Sequence, residues 1–177
     1  MPHNGAMTAS PPSPSQHAGR AWVFGDDLTT EALAPGRYMK FGIEEIAKHC
    51  LESVDPLFAA QVHPGDVVVG GRNFGAGSSR EQAAAVLVHL GVAVVLAPSF
   101  AGLFYRNAFN LGLPLLVCPE AGSVLPGDFL EVDFEGGRVE SLTQRRALAC
   151  DPVAAHLLAL IRDGGLLGHL EKRLGKA

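Results

Sequence analysis

Apolar residues fall along the chain in two rhythms. Short unbroken runs at 21–24 (AWVF), 66–69 (DVVV), 92–97 (VAVVLA) and 114–117 (PLLV) have the length and β-branched content of strands, the later ones of fully buried strands. Between them, apolar positions recur at helical spacing. Residues 44–51 place Ile46, Ala47 and Cys50 or Leu51 on one face ahead of Pro56, Ala83–Leu90 repeat the interval and stop at Gly91, and 100–111 stop at Gly112. Strand alternating with helix predicts parallel βαβ crossovers. The rhythm then changes. FLEVDFEGGRVESL alternates at period two about Gly136-Gly137, which predicts a hairpin. From Asp151 to Asp163, Val153, Leu157, Leu160 and Ile161 recur at helical spacing behind an Asp-Pro start, which predicts a C-terminal helix ended by Gly164-Gly165. The expected fold class is α/β: one domain with parallel crossovers, an additional β-hairpin and a C-terminal helix.

Composition narrows the class of protein. At 177 residues and 47% hydrophobic the chain has the makings of one globular domain, and no apolar stretch approaches the roughly 18 residues of a membrane helix, so no membrane partner is expected. With 14 basic against 18 acidic residues the formal charge is −4, which leaves no basic surplus for phosphates and points away from nucleic acid. Residues 1–20, rich in Pro, Ser and Ala, lack the basic start and apolar core of a secretory signal and are expected to be a disordered extension, with the domain running from 21 to 177. Cys50, Cys118 and Cys150 are odd in number and widely spaced, without a Cys-x-x-Cys, so no disulfide framework or metal site is expected and a cytoplasmic location fits.

The chemistry concentrates in Gly70–Gln82, GGRNFGAGSSREQ, at a strand-to-helix junction. A P-loop needs a Lys before its Ser or Thr, where this chain has Gly77. A dinucleotide fingerprint counted from Gly75 and Gly77 would need glycine at Arg80, and a nucleophile elbow centred on Ser78 would need it there too. What remains is a helix start with free N–H groups, two hydroxyls and a guanidinium within one turn, a combination suited to carboxylates and oxyanions. Ser78-x-x-Glu81 and Ser79-x-x-Gln82 also match the capping box, so on pattern alone a helix cap without catalysis stands level with an anion site.

GGRNFGAGSSREQA resembles the Gly-x-Asn-Phe-Gly-x-Gly-Ser-Ser-Arg-Glu-His-Ala signature of the small subunits of 3-isopropylmalate dehydratase and homoaconitase, the separate-chain form of the aconitase swivelling domain. FAGLFYRNAFNLGLP and GDDLTTEALAPGRY are similar to two further segments of that family, so the resemblance runs from about 21 to about 170. Thr29 and Glu31 stand where the family usually has aspartates, and Gln82 where it has His. The resemblance implies a swivelling-type domain and a hydro-lyase that removes and re-adds water on a hydroxy-dicarboxylic acid, as in leucine biosynthesis. It implies a large-subunit partner carrying a [4Fe-4S] cluster, with no cofactor bound by this chain. It further implies Ser78 as the catalytic base, Ser79 and Arg80 as substrate-binding residues, and Arg37, Tyr38, Met39, Lys40 and Phe41 as the substrate-selecting loop. Homoaconitase or another substituted-malate dehydratase is the alternative within the same chemistry, and a non-catalytic anion-binding module the alternative outside it.

Other polar residues carry weaker readings. Arg106 and Asn110 share a helical face, and they and Asn107 are expected to brace the loop or a subunit contact rather than touch substrate. His89, on an apolar helix, reads as a core histidine. No zincin-type His pair occurs among the seven histidines, so no metal is assigned to this chain.

Overall fold

The computed structural model describes residues 16–175. Seven strands form one sheet in the order β4-β3-β2-β1-β5-β6-β7. The strands β1 (Gln16–Val23), β2 (Val67–Val69), β3 (Val94–Ala97) and β4 (Leu115–Val117) are parallel, while β5 (Phe129–Asp133), β6 (Arg138–Ser141) and β7 (Arg146–Ala149) continue antiparallel from the other side of β1. The α/β class with crossovers, hairpin and C-terminal helix is therefore the observed one.

Burial explains the two halves. Every residue of β2 and β3 is buried, as expected of strands covered on both faces. Two helices carry the crossovers: α4 (Gln82–His89) buries Ala83, Ala84, Val86 and Leu87, and α5 (Gly102–Asn110) buries Phe104, Ala108 and Phe109. Between β1 and β2 run the short helices α1 (Thr30–Leu33), α2 (Ile43–Lys48) and α3 (Phe58–Gln61), with a 3₁₀ turn at Gly36–Tyr38. In β5 only Leu130 and Val132 turn inward, the alternation of a strand with one wet face. Asp133 Oδ1 accepts from the N–H of Glu135 and of Gly136, closing the hairpin turn. After β7 the chain returns to the opposite edge of the sheet, where the Asp151 N–H donates to the Val117 carbonyl at 2.8 Å, and α6 (Ala155–Arg162) and α7 (Leu166–Arg173) pack beside α5.

Three expectations change. Residues 16–20, assigned to a disordered extension, form the first half of β1, with Gln16 opposite Asp133 and Arg20 opposite Phe129. Their polar and small side chains give no apolar run; the strand exists because β5 pairs with it, and Gly19 is required there because a Cβ would sit 1.9 Å from the Gly65 carbonyl oxygen. Residues 1–15 of the expected extension lie outside the described residues. The second change is His89, which is exposed at the end of α4, since the buried stripe of that helix runs through 83, 84, 86 and 87. The third is the capping box: α4 begins at Gln82, and Glu81 in the cap position is already helical, at φ −61° and ψ −33°, with no side-chain cap.

Candidate active site

Residues 70–80 do not hang free between β2 and α4. On one side they are zipped to the segment after β1: Gly71 N–H to Gly25 O at 2.9 Å, Asp27 N–H to Arg72 O at 2.8 Å, Gly75 N–H to Leu28 O at 2.7 Å and Thr30 N–H to Ala76 O at 2.8 Å. On the other side Phe74 N–H donates to Ser99 O at 3.1 Å and Ala101 N–H to Phe74 O at 2.9 Å. The loop is thus an extra short strand between two neighbours. Phe74 anchors it, fully buried against Phe104 with ring centroids 5.3 Å apart and Phe100 at 5.9 Å. Gly75 permits that packing: its φ is +80°, and a Cβ would meet Phe104 Cγ at 2.2 Å.

Past this anchor the loop surfaces. Ser78 and Ser79 are exposed and Arg80 is half-buried. With α4 starting only at Gln82, the N–H groups from Ser78 to Gln82 have no hydrogen-bond acceptor among the described residues. That leaves a cluster of donors at a helix start, beside the guanidinium, where an anion is favoured. Neither serine hydroxyl caps the helix, the alternative that the capping-box pattern left open. Ser78 Oγ lies 3.3 Å from Thr30 Oγ1, and the Ser79 carbonyl accepts from Asn107 Nδ2 at 3.1 Å. Asn107 is therefore the brace expected on α5, while Arg106 and Asn110 are exposed.

Arg80 joins this loop to the next. Its Nη1 donates to Glu31 Oε2 and to the Ala34 carbonyl, both at 2.6 Å, and Glu31 Oε1 accepts the Gly36 N–H at 3.0 Å. The Arg80 hydrogen bond first, then the Gly36 N–H, holds the Glu31 carboxyl below the usual carboxylate range. Nε and Nη2 of Arg80 have no partner among the described residues, so one edge of the guanidinium remains for a ligand.

The five residues of the expected selecting loop are held by side chains. Arg37 pairs with Glu52 and lies over the Tyr38 ring at 4.9 Å; Tyr38 stacks on His49 with centroids 3.6 Å apart and planes 7° apart. His49 Nδ1 is 2.6 Å from Glu52 Oε2, and the His49 hydrogen bond first, then the Arg37 one, lowers the Glu52 carboxyl from its ordinary value. Met39 packs half-buried on the core, Lys40 is exposed with its ammonium 5.2 Å over the Phe41 ring, and Phe41 is 48% exposed. Through Arg80 the structure brings the 34–36 turn to the serine loop, whereas the Arg37 guanidinium is turned to Glu52. Glu31, Glu52 and His49 carry no local signal for these roles: Glu31 and Arg80 are 49 positions apart.

No three His, Cys, Asp or Glu side chains among the described residues converge as a metal site would require. Cys50 is buried alone, and burial raises its thiol pKa. Where the two sheet edges meet, the neighbouring Cys118 and Cys150 thiols interact so that the pKa of Cys118 is lowered and that of Cys150 raised.

This mixed α/β domain thus gathers N–H groups without an acceptor among the described residues, a serine pair and a half-used guanidinium on one clamped glycine loop, the groups a carboxylate would need. The family model for the aconitase C-terminal domain matches residues 30–120, and the chain belongs to that family. It is 43% identical over 157 residues to the methanogen homoaconitase small subunit of Methanothermobacter thermautotrophicus, covering 88% of this chain and 91% of that one. It is also 43% identical over 156 residues to 3-isopropylmalate dehydratase small subunit 1 of Thermotoga maritima, covering 87% and 94%. The crystal structure of 3-isopropylmalate dehydratase from Methanocaldococcus jannaschii superimposes with a TM-score of 0.86 at 37% identity, covering 90% of this chain and 95% of that one.

Proposed function

We propose that this chain is the small subunit of a cytoplasmic 3-isopropylmalate dehydratase, a hydro-lyase that interconverts 2-isopropylmalate and 3-isopropylmalate in leucine biosynthesis and is active only with a large subunit. The observation that carries the reading is the exposed Ser78 hydroxyl beside the free N–H groups of 78–82 and the open edge of Arg80. Ser78 is the base that takes the proton α to a carboxylate. A serine hydroxyl is a very weak acid, so its alkoxide needs positive potential close by, and the helix start and Arg80 provide it. Ser79 and Arg80 hold a substrate carboxylate, the latter through a planar fork matched to that group.

This chain's thiols do not suit an iron–sulfur cluster, and the [4Fe-4S] group is assigned to the large subunit, where it supplies the Lewis acid for the departing hydroxyl. Tyr38, Met39 and Phe41 offer an apolar wall for an isopropyl group, with Arg37 and Lys40 at its rim. Lys40 also supports the second reading, homoaconitase, because an exposed ammonium can pair with a third carboxylate, and a similar chain bears that name.

The test is anaerobic co-expression with a large subunit and an assay of isopropylmalate against tricarboxylate homologues of citrate. Isopropylmalate is expected to turn over best, and Ser78→Ala to lower the rate at least about a hundredfold. Preference for the tricarboxylate would move the assignment to homoaconitase. No turnover of either would leave the anion-binding module.

A further inference from the structure

Thr30 hydrogen-bonds the Ser78 hydroxyl, and the proposed chemistry gives it no role. It opens α1, yet its relative exposure is 2%, and it is one of only four buried polar or charged residues in the described core. It is fixed to the serine loop twice, by its N–H to the Ala76 carbonyl at 2.8 Å and by its Oγ1 to Ser78 Oγ at 3.3 Å. Gly77, at φ +109°, keeps that approach open, because a Cβ there would stand 3.2 Å from Thr30 Oγ1. Thr30 Oγ1 has no other hydrogen-bond partner among the described residues. Its proton therefore has a single acceptor in reach, and a buried hydroxyl left without one is destabilising.

We propose that Thr30 is a positioning residue for Ser78: its hydroxyl donates to Ser78 Oγ, directs the serine's own O–H outward to the substrate side, and holds the oxygen once that proton has gone. The inference rests on the reading of Ser78 as base. At 3.3 Å the contact is long for O–H···O, and such bonds shorten and strengthen when the acceptor becomes an anion, so the gain is largest for the alkoxide. In dehydration the alkoxide oxygen takes the carbon-bound proton, the C–H electron pair becomes the carbon–carbon double bond, and the hydroxyl departs from the neighbouring carbon with the C–O electron pair, which the Lewis acid assigned to the large subunit would accept. In hydration the same proton returns to carbon. Thr30 keeps its own proton throughout, since a negative charge on its buried oxygen would have no donor among the described residues but Ser78.

The experiment compares Thr30→Ser, Thr30→Ala, Thr30→Val and Ser78→Ala in the assembled two-subunit enzyme. Ser and Ala at position 30 differ by one oxygen, so their ratio isolates the hydroxyl even if the bulkier Val variant fails to assemble. Thr30→Ser is expected to keep kcat within about threefold, whereas Thr30→Ala loses about 10- to 100-fold, the range for a hydrogen bond to a charged group. KM should stay within about twofold in both variants, because the contact tightens only as charge develops. The primary deuterium isotope effect, with substrate deuterated at the carbon that loses its proton, should rise in Thr30→Ala as proton abstraction becomes limiting. A Ser-to-Ala ratio near one, or an unchanged isotope effect, overturns the role of Thr30 while Ser78→Ala remains inactive. If Ser78→Ala is active, the reading of Ser78 itself has failed.

Discussion

The serine loop and the 34–41 turn meet at Arg80 and are held by opposite means. Up to Ala76 the serine loop is fixed mainly through the backbone, with main-chain hydrogen bonds to 25–30 on one side and 99–101 on the other, Phe74 sunk in the core, and the Asp26, Asp27 and Ser99 side chains adding to the clamp. The turn is fixed by side chains: Arg80 on the Ala34 carbonyl, Glu31 on the Gly36 N–H, Arg37 on Glu52 and Tyr38 on His49. Main-chain hydrogen bonds survive most substitutions because they use no particular side chain, while a side-chain latch can be rebuilt one residue at a time. The proposed base thus sits on the part of the site least open to change, and the proposed selectivity on the part most open to it.

The same substitution placed in each loop should separate the two. Gly75→Ala forces a left-handed φ on a side chain and drives a Cβ to 2.2 Å from the Phe104 ring. It should destabilise by about 3 kcal/mol or more, read as a fall of roughly 6–12 °C in Tm. In Gly36→Ala the new Cβ meets the ends of two flexible side chains, the Glu31 carboxylate at 3.3 Å and Arg80 Nη2 at 3.7 Å, and the change should stay within about 0.5 kcal/mol. Equal losses would show that the loops are not held differently.

Arg80→Lys tests the joint between them. An ammonium cannot serve Glu31, the Ala34 carbonyl and a substrate fork together, so kcat/KM should fall about 10- to 100-fold with little change in Tm. A fall in Tm as large as that of Gly75→Ala would make Arg80 a folding residue first.

The smallest effect is expected from Glu52→Gln, which loosens Arg37 and Tyr38 together: a few-fold rise in KM, as befits an exposed ion pair. Acid should mimic it. Glu31 and Glu52 both have lowered carboxyl pKa values, so their hold on the turn is complete above the ordinary carboxylate range near pH 4.3 and is lost as pH falls through the lowered values. Amide exchange across 34–41 should accelerate on going from neutral pH into that range, after correction for intrinsic rates, while 70–76 stays protected. Faster corrected exchange at neutral pH would reverse the sign and remove the latch.

Elements that bury a local stripe were legible in the sequence. The strands β2, β3 and β4, the helices α4, α5 and α6, and the hairpin fall within a few residues of their expected places, because their apolar periodicity is carried by neighbours in the chain. Elements that bury no stripe of their own were not. In β7 only Leu148 is buried, and its place is set by pairing with β6; α7 buries nothing, and Leu167 is 78% exposed. The site divides in the same way. Glycine density and the Ser-Ser-Arg order mark residues 78–80, but the partners of those residues lie far off in sequence: Thr30 opposite Ser78, Glu31 on Arg80, Asn107 on Ser79.

The strand β1 has one consequence for how the chain reaches its native state. Its second half pairs with β2, Ala21 opposite Val67, while its first half waits for β5, Arg20 opposite Phe129, more than a hundred residues later. Closing the longer loop adds under about 1 kcal/mol of entropy to the equilibrium, yet contacts of such separation are the ones that slow folding. During synthesis the ribosome must therefore deliver roughly three-quarters of the chain before the first strand is paired on both sides. Until then residues 16–20 present an open edge to any other nascent strand, and any chain ending before Phe129 would leave the ribosome with that edge unpaired.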